Sequence, residues 1–390
     1  DFPTQIALQR DFLGNGDIFI TKFDATGSTP IYSTYLGGSI EVGPNTERAT
    51  GIAVDTQGNA YITGSTNTAD FPIVNAFQNG LQGVEDAFIT SLNTAGGLVY
   101  SSYFGGSGQE FGGQIALGPD GALTITGVTD SADLPLLNPL QPNYAGGNLG
   151  DAFVARFQPS GSSLVFSTYL GGSDNDSVGG LAVGSQDDSY IVGTTRSTDF
   201  PLKDPFLGQL QGGDDVWLVS IDPAGDLIYS TYFGGSDRDI AGDLAVDDMD
   251  RPVIVGTSKS TDLPLLNPIR SSVEVSEAFI TRFSAGAQGL EFSTFLGGNS
   301  ADEGNAIAVD TAGSIYLTGQ TQSGDFPVKD QLQDTIGQPI DAFISVLSAT
   351  GEELLFSSYF GGSGFDSGVA VATDNDGKLS AAITTDSTDM

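Results

Sequence analysis

Six near-copies of one segment, each about 65 residues long, fill this chain of 390 residues. A short aromatic strand that ends in Gly-Gly recurs at spacings of 68, 66, 63, 63 and 64 residues. A second marker, Asp-Phe-Pro or Asp-Leu-Pro, opens each copy, and the copies start near residues 1, 70, 133, 199, 262 and 325. Because a fixed period is the signature of a repeat architecture, we predict a single domain over residues 1–390.

Each copy contains four strand-like runs. In the second period these are Gly51–Asp55, Ala60–Gly64, Asp86–Leu92 and Leu98–Phe104. Short turns that carry Gly and Asn separate the runs, as hairpins require, and no segment keeps a helical period. Four antiparallel strands per copy, repeated six times, predict an all-β six-bladed β-propeller.

The phase of the repeat predicts how such a ring closes. Residues 16–36 supply the third and fourth strands of one blade, and residues 367–384 supply its first and second strands. A clasp of two N-terminal and two C-terminal strands leaves no strand edge exposed. The strand at 379–384 departs most from the repeat, so we expect it to be irregular. A fragment of a larger propeller is the alternative.

Several motifs together resemble the bacterial SBBP β-propeller repeat family. They are Tyr-Ser-Thr-Tyr-Leu-Gly-Gly-Ser at 32–39, the hairpin from Ile52 to Gly64, Asp-Phe-Pro at 70–72 and Asp-Ala-Phe-Ile-Thr at 86–90. The resemblance covers nearly the whole chain. It implies a secreted or surface-displayed propeller module and supplies no catalytic residues. The family label implies seven blades, whereas this chain counts six.

Composition excludes several functions. The chain has 49 acidic and 13 basic residues, a net charge of −36, and neither Cys nor His. It therefore lacks the residues for a Ser-His-Asp triad or a Cys- or His-ligated metal. Phosphate and anionic lipid binding depend on Lys and Arg, and no apolar run reaches about 20 residues. We expect no nucleic-acid partner, no membrane insertion, and an exported, soluble protein that is extracellular or at the cell surface.

The loops predict where a ligand binds. The loop between the second and third strands of a copy, and the loop leading to the next copy, are long and lie at the same end of a blade; we call this end the long-loop face. Function tends to sit on elaborated loops held by a rigid scaffold. The loop at 39–50 is about five residues longer than its counterparts. We predict ligand-binding residues there and in the fourth-copy loop: Glu41, Asn45, Glu47, Arg48, Asp237 and Arg238.

Acidic residues are periodic at three positions and account for 17 of the 49 acids. The first is the Asp of Asp-Phe-Pro. The second precedes each third strand: Asp17, Asp86, Asp151, Asp215, Glu277 and Asp341. The third lies five residues after the first Gly of Gly-Gly, with Val42 breaking the series in the first copy: Glu110, Asp176, Asp239, Asp302 and Asp366. Two hypotheses remain open: the acids cap loop amides, or the third series binds structural Ca²⁺.

These observations favour a non-enzymatic extracellular or cell-surface module for adhesion, a surface layer, a matrix or glycan binding. Its partner would be an extracellular glycan or a surface protein. A spacer joined to other domains of a longer parent chain fits equally well. The alternative is a carbohydrate-active enzyme, a glycosidase or lyase, which needs only two suitably spaced carboxylates. Trp217 lies at the Phe position of a third strand, so we expect it in the core.

Overall fold

A computed structural model describes residues 2–14, 16–39, 47–147, 150–337, 339–374 and 377–390. Its regular elements are 24 β-strands, which confirms the all-β prediction. Within the described ranges, no helix has the length and apolar character needed to cross a membrane.

The chain divides into two compact units, of which the first comprises Asp1–Val178 and Pro223–Asp226. It contains a two-stranded sheet and two four-stranded sheets in which consecutive strands pair side by side. The strands, grouped by sheet, are β1 (Ile18–Phe23) and β2 (Pro30–Leu36); β3 (Arg48–Val54), β4 (Ala60–Thr66), β5 (Asp86–Leu92) and β6 (Leu98–Phe104); and β7 (Glu110–Leu117), β8 (Leu123–Thr129), β9 (Asp151–Phe157) and β10 (Leu164–Leu170).

The second unit comprises Gly179–Asp222 and Leu227–Met390. It holds three four-stranded sheets and one two-stranded sheet, and the first three residues of its first strand belong to the other unit. The strands are β11 (Asp176–Val183), β12 (Ser189–Thr195), β13 (Asp215–Ile221) and β14 (Leu227–Phe233); β15 (Asp239–Val246), β16 (Pro252–Ser258), β17 (Glu277–Phe283) and β18 (Leu290–Leu296); β19 (Asp302–Val309), β20 (Ile315–Thr321), β21 (Asp341–Leu347) and β22 (Leu354–Phe360); and β23 (Asp366–Thr373) and β24 (Leu379–Thr385).

Five four-stranded antiparallel sheets confirm the predicted blade pattern. The two terminal hairpins, β1–β2 and β23–β24, are separate two-stranded sheets. Their joining into a sixth blade is not among the strand pairings of the described residues. β24 is correspondingly more exposed than the second strands of the complete sheets.

Local sequence explains the tight hairpins. Asp55 directly follows β3, and its Oδ1 accepts hydrogen bonds from the backbone N–H groups of Gln57 and Asn59. Gly58 has φ 85°, a left-handed conformation that glycine adopts without strain. The turn between β3 and β4 therefore follows directly from the Asp-x-x-Gly-Asn sequence.

The core of each unit lies between neighbouring sheets. In the first unit, Ile89 of β5 shares one apolar cluster with Phe153 of β9. A glycine on the second strand makes room for such a ring, because a Cβ on Gly127 would lie 2.5 Å from Phe153 Cε1. Trp217 stands in β13 where Phe153 stands in β9, and it is fully buried. Its prediction as a core residue is therefore confirmed.

In four of the five four-stranded sheets a tyrosine in the fourth strand fixes the long loop to its sheet, whereas β18 has Phe295 at this position. Tyr103 Oη donates to the carbonyl of Thr68 (2.7 Å) and accepts from the N–H of Phe71 (3.1 Å). Tyr169, Tyr232 and Tyr359 make the same two contacts in their sheets. The loop after Asp-Phe-Pro thus starts from a rigid corner.

Candidate functional site

Two carboxylates flank the first glycine of Gly-Gly in every copy. A Cβ on Gly105 would lie 2.3 Å from Glu110 Oε2 and 2.7 Å from Asp86 Cγ. Both acids are fully buried. The second and third acidic series of the sequence therefore meet as pairs: Asp17/Glu47, Asp86/Glu110, Asp151/Asp176, Asp215/Asp239, Glu277/Asp302 and Asp341/Asp366.

The first member of a pair caps the loop before its strand. Asp86 Oδ2 accepts from the N–H of Gln82 (3.0 Å) and from Gln78 Nε2 (2.7 Å). Its Oδ1 accepts from the N–H of Gly83 (3.1 Å). Gln78 also accepts from the N–H of Gly105 (3.1 Å), so one glutamine joins the carboxylate to the Gly-Gly loop.

The second member caps the Gly-Gly loop itself. Asp239 Oδ2 accepts from the N–H of Gly235 (2.7 Å) and from Ser260 Oγ (2.8 Å). Asp302 and Asp366 make the equivalent contacts. These contacts are those that the capping hypothesis predicts, and they hold both long loops to one sheet.

The first copy corrects one prediction. Val42, which was expected to break the acidic series, lies outside the described residues. Glu47, predicted to bind ligand, takes the acidic position instead, since its Oε1 accepts from the N–H of Gly38 (2.8 Å). The five-residue insertion moves the acid along the chain, so all six copies have a pair.

The fourth and fifth pairs differ from the others in the residue that takes the place of the bridging glutamine. Leu207 stands where Gln78 stands in the second copy, so the fourth pair lacks the glutamine. Burial, with a smaller effect of the nearby Asp239 charge, raises the pKa of Asp215 to about 6. In the fifth pair Arg270 takes the glutamine position and donates to Glu277 Oε1 (3.0 Å), yet burial still raises the pKa of Glu277 to about 7.

The calcium hypothesis is not tested by this geometry. In the described part of the chain, no group of three or more acidic side chains is arranged to hold a metal ion. Asp239 Oδ1 and Glu277 Oε2 are buried and have no hydrogen-bond partner among the described residues. Burial raises the pKa of both carboxyl groups, and for Asp239 the nearby Ser258 hydroxyl opposes part of this rise. A cation would find these two carboxylate oxygens available.

The long-loop face of the second unit carries a cavity of about 500 Å³. It lies beside β15 and β19, where loops from both sheets meet, and Ser276 pairs there with Ala301. Its lining is Arg238, Ile240, Ala241, Gly242, Thr257, Lys259, Val275, Ser276, Ala301, Glu303, Gly304 and Asn305. This volume falls within the range of small-molecule sites.

Two basic side chains, Arg238 and Lys259, line the cavity, and a third, Arg196, shares an acidic partner with Arg238. Arg238 Nε donates to Asp214 Oδ2 (2.7 Å), and Arg196 binds the same carboxylate. These hydrogen bonds hold the pKa of Asp214 below its usual value. The backbone N–H of Lys259 donates to the carbonyl of Arg238 (2.9 Å), so the two residues are neighbours across two strand ends.

The other residues that were predicted to bind a ligand do not lie together. Glu41 and Asn45 lie outside the described residues. Arg48 begins β3 and is exposed, and it belongs to the first unit, whereas Asp237 and Arg238 belong to the second. Asp237 Oδ1 accepts from the N–H of Arg238 (2.8 Å) beside the cavity. Sequence reasoning missed Lys259 because only the fold places it beside Arg238.

Two segments of the chain match the SBBP beta-propeller repeat. They are residues 31–72 and 291–327, and the resemblance seen in the sequence is confirmed there. Each SBBP segment runs from a fourth strand through the next two strands to Asp-Phe-Pro.

Similar proteins were found at low identity. The chain is 23% identical over 391 residues to the regulatory protein FlaEY of Caulobacter vibrioides, and this match covers 91% of the chain but 39% of that protein. The structure of the Dos1 propeller matches with a TM-score of 0.46 and 8% identity, covering 93% of this chain and 70% of that one. The gluconolactonase XC5397 of Xanthomonas campestris matches with a TM-score of 0.36 and 14% identity, covering 73% and 71%.

Proposed function

We propose that this chain is a non-enzymatic extracellular or cell-surface module that binds a glycan or a surface protein through its long-loop face. The cavity beside β15 and β19 is the observation that carries this proposal. Its lining comes partly from β15, β16 and β19 and partly from loop residues, among which Arg238 and Lys259 lie at positions where the copies differ. Residues that a repeat needs for folding recur in every copy, whereas a single ligand site needs its residues once.

The buried acids support the same proposal in another way. Each pair ties two long loops to one sheet and has no exposed surface of its own in the second to fifth copies. These carboxylates therefore act on the scaffold, and they leave the exposed loop side chains to meet a ligand. A rigid scaffold lowers the entropic cost of ordering a binding surface.

Binding on an array of extracellular glycans and purified surface proteins tests the proposal. We expect dose-dependent retention on specific members of the array, with no release of reducing sugar or unsaturated product over hours. Turnover that co-purifies with the chain would favour the carbohydrate-active enzyme, with Asp237 and Glu303 as the accessible carboxylates to replace first. Absence of retention on any member would refute the binding function.

We further propose that the ring closes through β24 and β1. In the complete sheets the second and third strands pair in one register, for example Thr66 with Asp86 and Ala60 with Leu92. The same register would place Thr385 opposite Asp17. Among the described residues, β24 and β1 each have one edge without a strand partner, and this edge could make the contact.

Ile383 gives this closure a specific test. It stands where the complete sheets have the glycine that faces an aromatic ring, so Phe19 would face Ile383. Replacing Ile383 by Gly removes this obstacle. We expect Ile383→Gly to raise the melting temperature if the ring closes in solution, with Ile383→Ala giving a smaller rise. A lower melting temperature for Ile383→Gly would contradict closure in this register, since glycine only weakens an unpaired strand.

Structural calcium at the carboxylate pairs is part of the same proposal. The available oxygens of Asp239 and Glu277 support it. A bound cation would stabilise the folded state by mass action, so millimolar Ca²⁺ added to desalted protein in EDTA-free buffer should raise the melting temperature more than equal ionic strength of NaCl or MgCl₂. An identical melt in all three salts would refute specific calcium binding.

A further inference from the structure

The cavity on the long-loop face concentrates positive charge in an acidic protein. Arg196, Arg238 and Lys259 are three of only 13 basic residues in a chain of net charge −36. Asp214 neutralises one of these charges by binding both arginines. Glu303, which lines the cavity, offsets a second one, so these five side chains together carry a net charge of +1.

The surplus charge is not used by the fold. Arg238 binds Asp214 through Nε, and its two terminal nitrogens have no partner among the described residues. The Lys259 ammonium group likewise has no ion-pair or hydrogen-bond partner in the part of the chain that the structure describes. Both side chains line the cavity. Arg238 directly precedes β15 and Lys259 directly follows β16, and their backbones are hydrogen-bonded. Two like charges on such facing residues repel each other, so a structural role does not explain this pair.

Two of the other copies show a structural use of these two positions. In the second copy Gln109 and Asp130 occupy them, and Asp130 Oδ1 accepts from the N–H of Gln109 (2.6 Å). In the sixth copy Asp386 accepts from the N–H of Phe365 in the same way. An acid at the Lys259 position thus satisfies a loop amide in these two copies. The first and fifth copies have Asn67 and Gln322 there, and the third has the cation Arg196, so the fold does not require an acid at this position. The fourth copy differs from the others in having a second cation, Arg238, at the facing position.

The rest of the lining indicates which anion the cavity accepts. Ile240 and Val275 supply apolar surface, whereas Ser276 and Asn305 add polar groups. Glu303 also lines the cavity and accepts from Gln320 Nε2 (2.8 Å). A carboxylate there would repel a ligand with several negative charges but would accept hydrogen bonds from hydroxyl groups. The lining therefore suits a ligand that has one negatively charged group, several hydroxyl groups and an apolar C–H face.

We propose that this cavity binds a carboxylate-bearing sugar, such as a uronic acid within an extracellular glycan. This inference rests on the proposed binding function and specifies its ligand class. The sugar carboxylate lies against the Arg238 guanidinium and the Lys259 ammonium, its hydroxyls donate to Glu303, and its C–H face packs on Ile240 and Val275. Arginine matches a carboxylate with two parallel donors, and Lys259 adds a point charge.

Isothermal titration with glucuronate tests the ligand class, and glucose serves as the neutral sugar of the same ring. We expect glucuronate to bind at least about tenfold more tightly than glucose, with affinity that falls as NaCl is raised. Arg238→Gln together with Lys259→Gln should weaken glucuronate binding by at least about tenfold. Lys203→Gln together with Lys329→Gln is the matched control, because it removes two charges that lie outside the cavity lining and should leave binding unchanged.

The outcomes separate this inference from the proposed function. Equal binding of glucose and glucuronate, or unchanged binding in the Arg238/Lys259 variant, would overturn the ligand class while array binding stands. Equal loss in both double variants would show a non-specific charge effect and would also overturn it. Failure to bind glucuronate together with failure on every array member would refute the binding function itself. Unfolding curves of both double variants establish that each is folded before titration.

Discussion

Replacing Asp239 by Asn tests how the buried carboxylate pairs are balanced. The Asn oxygen can keep the hydrogen bonds that Asp239 Oδ2 accepts from Gly235 N–H and Ser260 Oγ. The amide nitrogen would replace Oδ1, which makes no hydrogen bond, and can donate toward Asp215 or Ser258. The substitution thus removes one of two buried charges and preserves the cap.

The size of the effect follows from the pKa of Asp215. It is raised from 3.8 to about 6, mainly by burial and partly by the Asp239 charge. At about 1.4 kcal/mol per pKa unit, ionised Asp215 costs the folded state about 3 kcal/mol, and we assign about 1 kcal/mol of this to Asp239. For a unit of roughly 200 residues, 1 kcal/mol corresponds to about 2–4 °C in melting temperature.

The direction of the pH dependence is fixed by the raised pKa. The stability that a protonated Asp215 supplies is fully present below pH 3.8 and is lost as pH rises through about 6. Asp239→Asn should therefore melt about 2–4 °C above the parent at pH 7.5 in EDTA, and the difference should shrink near pH 5. Calorimetric or fluorescence-dye melts at both pH values measure this.

Asp262→Asn provides the control for this experiment. Asp262 is exposed and caps the same loop through Ser236, which lowers its pKa, so its replacement should lower the melting temperature slightly. A lower melting temperature for Asp239→Asn than for the parent at pH 7.5 in EDTA would refute the reasoning. It would mean that the cap depends on the charge of Asp239.

Two further substitutions test the scaffold by melting temperature. Leu207→Gln should raise the melting temperature, because the new side chain can bridge Asp215 and the Gly-Gly loop as Gln78 bridges Asp86 and Gly105. A melting temperature for Leu207→Gln below that of Leu207→Ala would contradict this. Tyr232→Phe should cost about 1–3 kcal/mol, because it leaves the buried Ser197 carbonyl and Phe200 N–H without the hydroxyl. Tyr35→Phe removes one described hydrogen bond, from the N–H of Phe2, and should lower the free energy of unfolding less. Equal losses in the two variants would contradict the role of the tyrosine hydroxyl in fixing the long loop.

The repeat made much of the fold predictable. The runs Asp86–Leu92 and Leu98–Phe104 were predicted as strands, and β5 and β6 have these bounds. Strand patterns and turn residues act locally, so six copies reinforce one another. The prediction for the first strand was too short, since β3 begins at Arg48 and not at Gly51, because its first residues alternate less clearly.

The site was harder to predict because it depends on contacts between distant segments. Periodicity showed two series of acids, but only the fold places Asp215 beside Asp239 across a glycine. The insertion before Glu47 places this residue farther from Gly-Gly than the other acids of its series, so a search at fixed spacing did not find it. Lys259 directly follows a strand, and its place in a basic cluster is evident only once the fold brings it next to Arg238. A comparison of the six copies at that position would have shown the change from Asp130 to a cation.

Hydrogen–deuterium exchange with and without a glycan that the array identifies tests the central claim most directly. We predict slower exchange in the long loops at 234–238, 259–276 and 297–301 and in the first residues of β15 and β19. It predicts no change in the tight turns at the other end of the same sheets, such as 247–251 and 310–314. Protection confined to those turns, or spread evenly over both ends, would contradict binding at the long-loop face.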